Sequence, residues 1–331
     1  MIGREAMARH PTGVAQEFTD RSASAARAGG FWHTALLYRD RDEYLSGLAE
    51  FSGIAAARQA PLQAMLPRSS MPLARTVLPF PSRRTLIADM TEVGRNPARV
   101  IPAGQSYADE YPGERVYCLW EPAWPSRSPA ELTEVARHEA LCNLAFADRA
   151  MTLLCLYDAG QLSPELITAV ERTHPVVISA GQRQLSSAYR GAGILPSGSD
   201  DPLPPPGPDA ESLRFTDHLA AVREFTARHA NAAGLSPART RDLILAASEI
   251  AANALGHAQG GAVRAWRSGD ELICQIEDSG HIIDPLAGRR RQPPDSPGGH
   301  GLWLVNLVCD LVQRRSSAAG TVTRMHMRLG G

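Results

Sequence analysis

One Pro- and Gly-rich stretch, GAGILPSGSDDPLPPPGPDAES at residues 191–212, divides this 331-residue chain into two parts. Such a stretch has too little apolar surface to offset the entropy lost when it becomes ordered, so we expect an extended, semi-stiff linker. The chain is also longer than one ordinary hydrophobic core supports. The sequence therefore predicts a disordered leader at 1–30, a first domain at 31–190, the linker, and a second domain at 213–331.

Before the linker, short apolar runs alternate with helical patterns. A helix is expected to begin after Ser128 and another after Ser163, because each serine precedes a proline and can cap a helix start. Strands that alternate with helices predict a parallel α/β sheet, whose ligands bind beyond the carboxyl ends of its strands. The predicted strands are 33–38, 62–66, 85–90, 115–122, 151–158 and 175–179.

After the linker, the order of elements changes and predicts an α+β sandwich. Two helices are expected first, and they are followed by two strands that meet at the turn Ser268-Gly269-Asp270. A Gly-, Pro- and Arg-rich loop, a short helix and a terminal hairpin complete the domain. This order places helices on one face of a mostly antiparallel sheet. The two predicted helices are 215–231 and 237–256, the loop is 279–299, and the hairpin strands are 311–317 and 321–329.

The composition excludes several classes of function. The chain contains no lysine, which excludes a Walker A phosphate loop and a Schiff-base enzyme. A formal net charge of −1 argues against direct nucleic-acid binding, and no apolar run is long enough to span a membrane. The five cysteines are far apart in the sequence and mostly lie in apolar runs, which predicts buried free thiols in a cytoplasmic protein.

The helix LILAASEIAANALGHA, residues 243–258, carries two polar residues on one face. Glu249 and Asn253 lie one helical turn apart, so their side chains point the same way. Burial of an unpaired carboxylate costs several kcal/mol, so a helix this apolar needs a reason to carry one. A solvated stripe would explain an isolated E-x-x-x-N pattern, and His257 is expected to be a packed or capping histidine.

Three further motifs follow this helix. Asp278 ends an apolar strand, where it can accept a hydrogen bond from an exocyclic amine, and Gly280 lets a flat ring approach. Glycines then lead directly into a helix, whose free N–H groups can bind phosphate. Thr321 stands at the start of a later strand. The glycines are Gly298, Gly299 and Gly301, in PGGHGLWLVN.

This order of motifs resembles the GHKL ATP-binding fold, and within it the RsbW/SpoIIAB-type anti-sigma serine kinases. The resemblance implies that Asn253 holds Mg²⁺ on bound ATP and that Glu249 is the general base toward a serine or threonine hydroxyl. It also implies that Asp278, Gly280 and Thr321 surround adenine. The phosphate cradle would be Gly299, His300, Gly301 and Leu302, facing the same cavity as Glu249 and Asn253.

The resemblance also implies partners: a sigma factor and a STAS-type anti-sigma-factor antagonist, with a role in transcription regulation and stress response. The loop 279–299 would be the lid of such a site. Its arginines, Arg289 to Arg291, have two interpretations, a solvated basic loop or a contact with the γ-phosphate. A non-catalytic ATP-dependent binding switch is the alternative function. A histidine-kinase remnant that uses His138 is the third. The oligomeric state stays open, although the relatives dimerise through this domain.

The first domain resembles the MEDS sensory family, through HTALLYRDRDEYL, ADMTEVGRNPARVIPA, LWEPAWPSRSPAEL, RHEALCNLAFADRAMTLLCLYD and THP. That family implies a RecA/KaiC-like fold that senses a small molecule. The loop LPRSSMPLAR lacks G-K-S/T, so we expect no nucleotide hydrolysis in this half. A metal site that uses His33 and His138 is an alternative to satisfied structural histidines. The candidate ligand residues are His33, Glu121, Trp124, His138, Glu139 and Asp158.

Overall fold

The computed structural model describes residues 30–78, 83–195, 200–290 and 299–330. The predicted leader therefore lies outside the described residues, apart from Gly30, as do Arg291 and Gly298. None of the described helices is both long and apolar enough to cross a membrane. The described residues form two domains, one built on a mostly parallel sheet and the other on an antiparallel sheet.

Contacts divide the chain into two compact units that do not follow its linear order. The first unit comprises Met1–Met90, Tyr107–Ser126 and Phe146–Ile194. The second comprises Thr91–Ser106, Arg127–Ala145 and Leu195–Gly331. Two segments from the first half of the sequence therefore pack with the second half.

The first unit is built on a seven-stranded sheet in the order β3-β2-β4-β5-β1-β6-β7. Every neighbouring pair is parallel except β6–β7, so the predicted parallel sheet is confirmed. The antiparallel edge strand β7 was not predicted, because its sequence, QRQL, has no apolar alternation. The strands are β1 Phe31–Tyr38, β2 Leu62–Leu66, β3 Thr85–Asp89, β4 Val116–Trp120, β5 Met151–Asp158, β6 Val176–Ser179 and β7 Gln182–Leu185.

Helices connect these strands, and their starts follow the sequence signals. Asp40 caps the first helix by accepting from the backbone of Asp42 and Glu43, and Ser163 caps a later helix by accepting from Leu166. The long helix after Ser128 belongs to the second unit. The helices are α1 Arg41–Ala57, α2 Met71–Ala74, α3 Met90–Val93, α4 Val100–Asp109, α5 Pro129–Ala145 and α6 Pro164–Thr173, with a 3₁₀ turn at Pro97–Arg99.

The second unit is built on a five-stranded, wholly antiparallel sheet in the order β11-β12-β10-β9-β8. Three helices pack against it through a core that includes Leu243, Ile250, Cys274 and Met325. The strands are β8 Glu211–Phe215, β9 Gly261–Ser268, β10 Glu271–Asp278, β11 Leu311–Ser317 and β12 Gly320–Arg328. The helices are α7 Leu219–Ala233, α8 Pro237–Ala258 and α9 His300–Val308.

Two predictions at the start of the second domain were wrong in detail. The helix predicted from residue 215 begins at Leu219, and Phe215 instead ends strand β8. Pairing in the sheet is the reason, because β8 forms the edge strand beside β9. The backbone N–H and C=O groups of β8 that face β9 bond to that strand, so they are not available for a helix. Residues 211 and 212, which were predicted as linker, belong to the same strand.

The described part of the linker lies over side chains of the sheet. Arg324 donates to the carbonyl of Pro204 at 2.6 Å, and Arg315 donates to that of Asp201 at 3.0 Å. A Cβ at Gly207 would lie 2.9 Å from Trp266 Cδ1, so the chain passes close to that indole. Arginines on the strands thus supply the donors that this proline-rich backbone needs.

Candidate nucleotide-binding site

The carboxylate of Glu249 lies against the first turn of α9. A Cβ added to Gly301 would lie 2.5 Å from Glu249 Oε2, so a side chain at this position would displace the carboxylate. Glu249 is half-buried, whereas Asn253, one turn along the same face of α8, is exposed. The helix therefore brings a carboxylate to the glycine-rich turn and presents an amide to solvent beside it.

The start of α9 is suited to an anionic group. Gly299 takes the N-cap position with a left-handed φ of 86°, and no side chain within the described ranges caps this helix. Uncapped N–H groups at a helix start carry partial positive charge, and phosphate is a suitable acceptor for them. His300 and Leu302, the remaining predicted cradle residues, are partly buried in the same turn.

The loop after β10 forms a tight corner at Asp278. Asp278 Oδ1 accepts from the backbone N–H of Gly280 at 2.7 Å, and a Cβ at Gly280 would lie 2.8 Å from that oxygen. Thr321 is the partner of Asp278 in the β10–β12 register, and its hydroxyl donates to the carbonyl of Gly280 at 2.8 Å. Burial raises the pKa of Asp278, an effect that its bond from Gly280 and the nearby His257 oppose.

Helix α8 connects the two ends of the candidate site. Near Glu249 it meets Gly301, and at its end the carbonyl of Ala258 accepts from the hydroxyl of Ser279 at 3.2 Å. The nine residue steps from Glu249 to Ala258 correspond to a rise of about 14 Å. That length suits an extended nucleoside triphosphate, with a base at the Asp278 corner and phosphates at α9. His257 is exposed in the last turn, which excludes the packed histidine and leaves the capping alternative.

The start of the lid is held by hydrogen bonds to the elements beside it. Asn306 of α9 donates to the carbonyl of Gly288 at 2.9 Å, and Arg314 of β11 donates to that of Ala287 at 2.9 Å. Gly288 has a left-handed φ of 75°, and a Cβ there would lie 2.7 Å from Leu302 Cβ. The start of the lid therefore passes α9 along a path that requires glycine.

A lid arginine is paired with a buried carboxylate. Arg289 Nη2 donates to Glu134 Oε2 at 2.8 Å, and Arg315 Nη1 donates to Glu134 Oε1 at 2.8 Å. Glu134 is 0% exposed and Arg289 is 6% exposed, so the interpretation of a solvated basic loop was wrong for Arg289. Burial lowers the pKa of Arg289, and the charge of Glu134 opposes that effect.

Sequence reasoning singled out Arg289 but missed Glu134, Arg315 and the pairing between them. Glu134 lies on α5, more than a hundred residues before the lid, and ELTEVARHEA has the charge pattern of an ordinary surface helix. Only the packing of α5 within the second unit shows that this carboxylate is buried. Ser316 was also missed; its hydroxyl lies 2.7 Å from that of Thr321 and accepts from the backbone of Ile282.

A separate cleft of the second unit lies beside the linker. Its volume is about 830 Å³, and its walls include the linker prolines, Arg324, Gln275 and Glu277. It reaches Asp278 and Thr321, but its lining does not include Glu249, Asn253 or Gly301. In β10, Gln275 and Glu277 alternate with the core-facing Cys274 and Ile276, so this cleft lies on the side of the sheet away from the helices.

Three of the residues predicted for a sensory ligand, Glu121, Trp124 and Asp158, lie at or just beyond strand ends in the first unit. Glu121 directly follows β4, is 4% exposed, and accepts from the hydroxyls of Tyr38 at 3.0 Å and Tyr44 at 3.4 Å. Burial raises its pKa to about 7. Asp158 ends β5 and accepts from the backbone of Gly160 at 2.9 Å. Trp124, just beyond β4, is partly buried.

The predicted histidines are buried in different units. His33, on β1, is 3% exposed and its Nε2 lies 3.5 Å from Cys155 Sγ. His138, on α5, is 0% exposed and its Nε2 lies 3.4 Å from Cys142 Sγ. Glu139, its neighbour on α5, is also 0% exposed. All five cysteines are free and buried, as predicted.

Two families match the chain, each over part of its length. The MEDS family, described as "MEthanogen/methylotroph, DcmR Sensory domain", matches residues 32–175. The family described as "Histidine kinase-like ATPase domain" matches residues 214–327. No curated protein matches the chain.

Among solved structures, the chain is similar to the RsbU and RsbW domains of Rv1364c from Mycobacterium tuberculosis. The sequence identity is 20% and the TM-score is 0.27. The alignment covers 36% of this chain and 32% of that one, so it spans about a third of the solved protein. From the two family matches and the two folds, this chain joins a MEDS domain to a GHKL-type, histidine kinase-like ATPase domain.

Proposed function

We propose that this protein is an ATP-dependent serine/threonine kinase that phosphorylates a STAS-type anti-sigma-factor antagonist and binds a sigma factor. The observation that carries the proposal is the approach of the Glu249 carboxylate to Gly301 in the first turn of α9. A carboxylate at this place has a use in catalysis, because a phosphate on the uncapped helix start would lie beside a proton acceptor.

The residues present suit phosphoryl transfer. Glu249 would accept the proton of a serine or threonine hydroxyl. The hydroxyl oxygen bonds to the γ-phosphorus as the bond between that phosphorus and the leaving oxygen of ADP breaks. Asn253 supplies an amide oxygen, a hard neutral ligand that suits Mg²⁺, and its exposure leaves room for water and phosphate oxygens around the ion. Bound Mg²⁺ would neutralise charge on the phosphates.

Phosphorylation would switch the partners of the protein. A phosphate adds up to about two negative charges to the antagonist, enough to break an interface by repulsion and desolvation. The pairing of Glu134 with Arg289 supports control by the sensory half, because α5 lies within the MEDS match and Arg289 lies in the lid. The site of the sensed small molecule would be the first unit, around Glu121.

Transfer of label from γ-labelled ATP to a purified STAS-domain protein from the same genome tests the proposal. Wild type should label a serine or threonine of that protein. Glu249→Ala should abolish labelling and leave nucleotide affinity nearly unchanged, whereas Asp278→Ala should abolish both. Glu224→Ala is the matched control, because Glu224 is an exposed carboxylate on α7 of the same unit, and it should label like wild type.

Tight nucleotide binding by wild type without any label transfer would contradict the kinase and favour the ATP-dependent binding switch. Acid-labile label on the chain itself would instead indicate the histidine-kinase remnant. The complete burial of His138 argues against that outcome, because a phosphoacceptor histidine must reach the γ-phosphate. Co-purification with a sigma factor that depends on ATP would support the predicted partner.

A further inference from the structure

Three neighbouring strands of the first unit bring together two histidines and a cysteine. His33 lies on β1 and Cys155 on β5, and the parallel register pairs His33 with Leu153, so Cys155 is its diagonal neighbour on the same face. His174 ends the connection into β6, the strand on the other side of β1. The order β5-β1-β6 therefore places all three side chains at one point of the sheet.

The ligand-type atoms of these residues lie close together inside the protein. Cys155 Sγ is 3.5 Å from His33 Nε2, and the rings of His33 and His174 have centroids 4.0 Å apart. The imidazole nitrogens and the sulfur all lie within 4.8 Å of one another. His33 is 3% exposed, and Cys155 and His174 are 0% exposed.

These separations suit a tetrahedral zinc ion. Zinc binds imidazole nitrogen at about 2.0–2.1 Å and thiolate sulfur at about 2.3 Å, which puts a nitrogen and a sulfur ligand roughly 3.6 Å apart. The observed distance between Cys155 Sγ and His33 Nε2 is 3.5 Å. A mixed set of imidazole and thiolate ligands also favours zinc over calcium or magnesium, which prefer oxygen ligands.

The backbone orients His174 as it would orient a metal ligand. His174 Nδ1 lies 2.8 Å from the carbonyl oxygen of Val170, one turn earlier in α6. This contact makes Nδ1 the donor, so the neutral ring carries its lone pair on Nε2. Metal-binding histidines commonly donate the second ring N–H to a carbonyl in this way, which fixes the tautomer and the ring orientation.

We propose that His33, Cys155 and His174 form a zinc site inside the MEDS domain. The site does not depend on the proposed kinase activity, because its three residues lie in the other unit. With three protein ligands, water would take the fourth position of a tetrahedral zinc, and the surrounding apolar strands would limit further access of solvent. Zinc would join β1, β5 and the connection to β6, which stabilises the centre of the sheet.

The test is metal content and cobalt spectroscopy of the full-length protein. Wild type purified with zinc should hold about one zinc per chain, and its metal-free form should bind Co²⁺ with a thiolate-to-cobalt charge-transfer band. Cys155→Ser should lose that band and most of the bound zinc. Cys118→Ser is the control, because Cys118 is equally buried on β4 of the same sheet, and it should keep both signals.

Circular dichroism of Cys155→Ser distinguishes loss of metal from loss of folding. The metal content of wild type tests the proposal even if that variant does not fold. A wild type that takes up neither zinc nor cobalt would overturn the proposal, and so would a Cys155→Ser protein that keeps the band. In either case the short contact with His33 would be a thiol hydrogen bond between two packed side chains.

Discussion

Removal of the Glu134 carboxylate should destabilise the second unit more than any surface change. In Glu134→Ala, Arg289 and Arg315 would each lose a charged partner that now lies 2.8 Å away. Breaking a buried ion pair by removing one partner costs about 3–5 kcal/mol. Arg315 keeps its bonds to the carbonyls of Asp201 and Arg314, so we expect the lower end of that range, about 3 kcal/mol.

Hydrogen exchange of amides in β10 and β12 measures this effect, because the two strands are central in the second sheet. A loss of about 3 kcal/mol corresponds to roughly a hundredfold faster exchange of the most protected amides. Glu224→Gln, which also removes one negative charge, should leave exchange unchanged, since that residue is exposed on α7. If Glu134→Ala accelerated exchange no more than this control, Glu134 would not be a buried, paired carboxylate.

Three other predictions follow from the same contacts. In Gly301→Ala, the new methyl group would displace the carboxylate of Glu249, so phosphoryl transfer to the antagonist should fall while thermal unfolding stays near wild type; equal activity would refute the contact. Because burial raises the pKa of Asp278, nucleotide affinity measured by calorimetry should weaken on acidification at a higher pH than for an ordinary aspartate, and Asp278→Asn should remove this pH dependence. Burial raises the pKa of Glu121 from 4.5 to about 7, so the folded first unit favours the protonated carboxyl. The stability that this carboxyl contributes is complete below pH 4.5 and is lost as pH rises through about 7. The loss is about 3 kcal/mol in urea titrations of the first unit, and Glu121→Gln should show none of it.

The elements of this fold with a clear sequence period were predictable. β5 is a continuous apolar run, as expected for a strand buried on both faces of a parallel sheet. β9 and β10 meet at the predicted Ser-Gly-Asp turn, and α8 starts at Ser236 followed by proline. Local chemistry determines these features, because each depends on residues that are close in the chain.

The places of the candidate site's motifs on helices, strands and turns were also predictable, because each motif lies within one element or turn. The spacing of Glu249 and Asn253 places both on one helical face, and glycine at Gly301 and Gly280 marks points where another group comes close. The sequence could not show how exposed each side chain is, so the contrast between half-buried Glu249 and exposed Asn253 came only from the structure.

Long-range packing decided what the sequence left open. The pairing of Glu134 with a lid arginine joins residues 155 positions apart, and the cluster of His33 with Cys155 joins residues 122 positions apart. Neither has a local pattern, because the sequence around a charged or thiol side chain does not show which distant side chain it will contact. The amino-acid sequence by itself determined the helices, the strands and the order of the motifs, whereas the burial and pairing of these charged and ligating groups depended on which distant segments pack together.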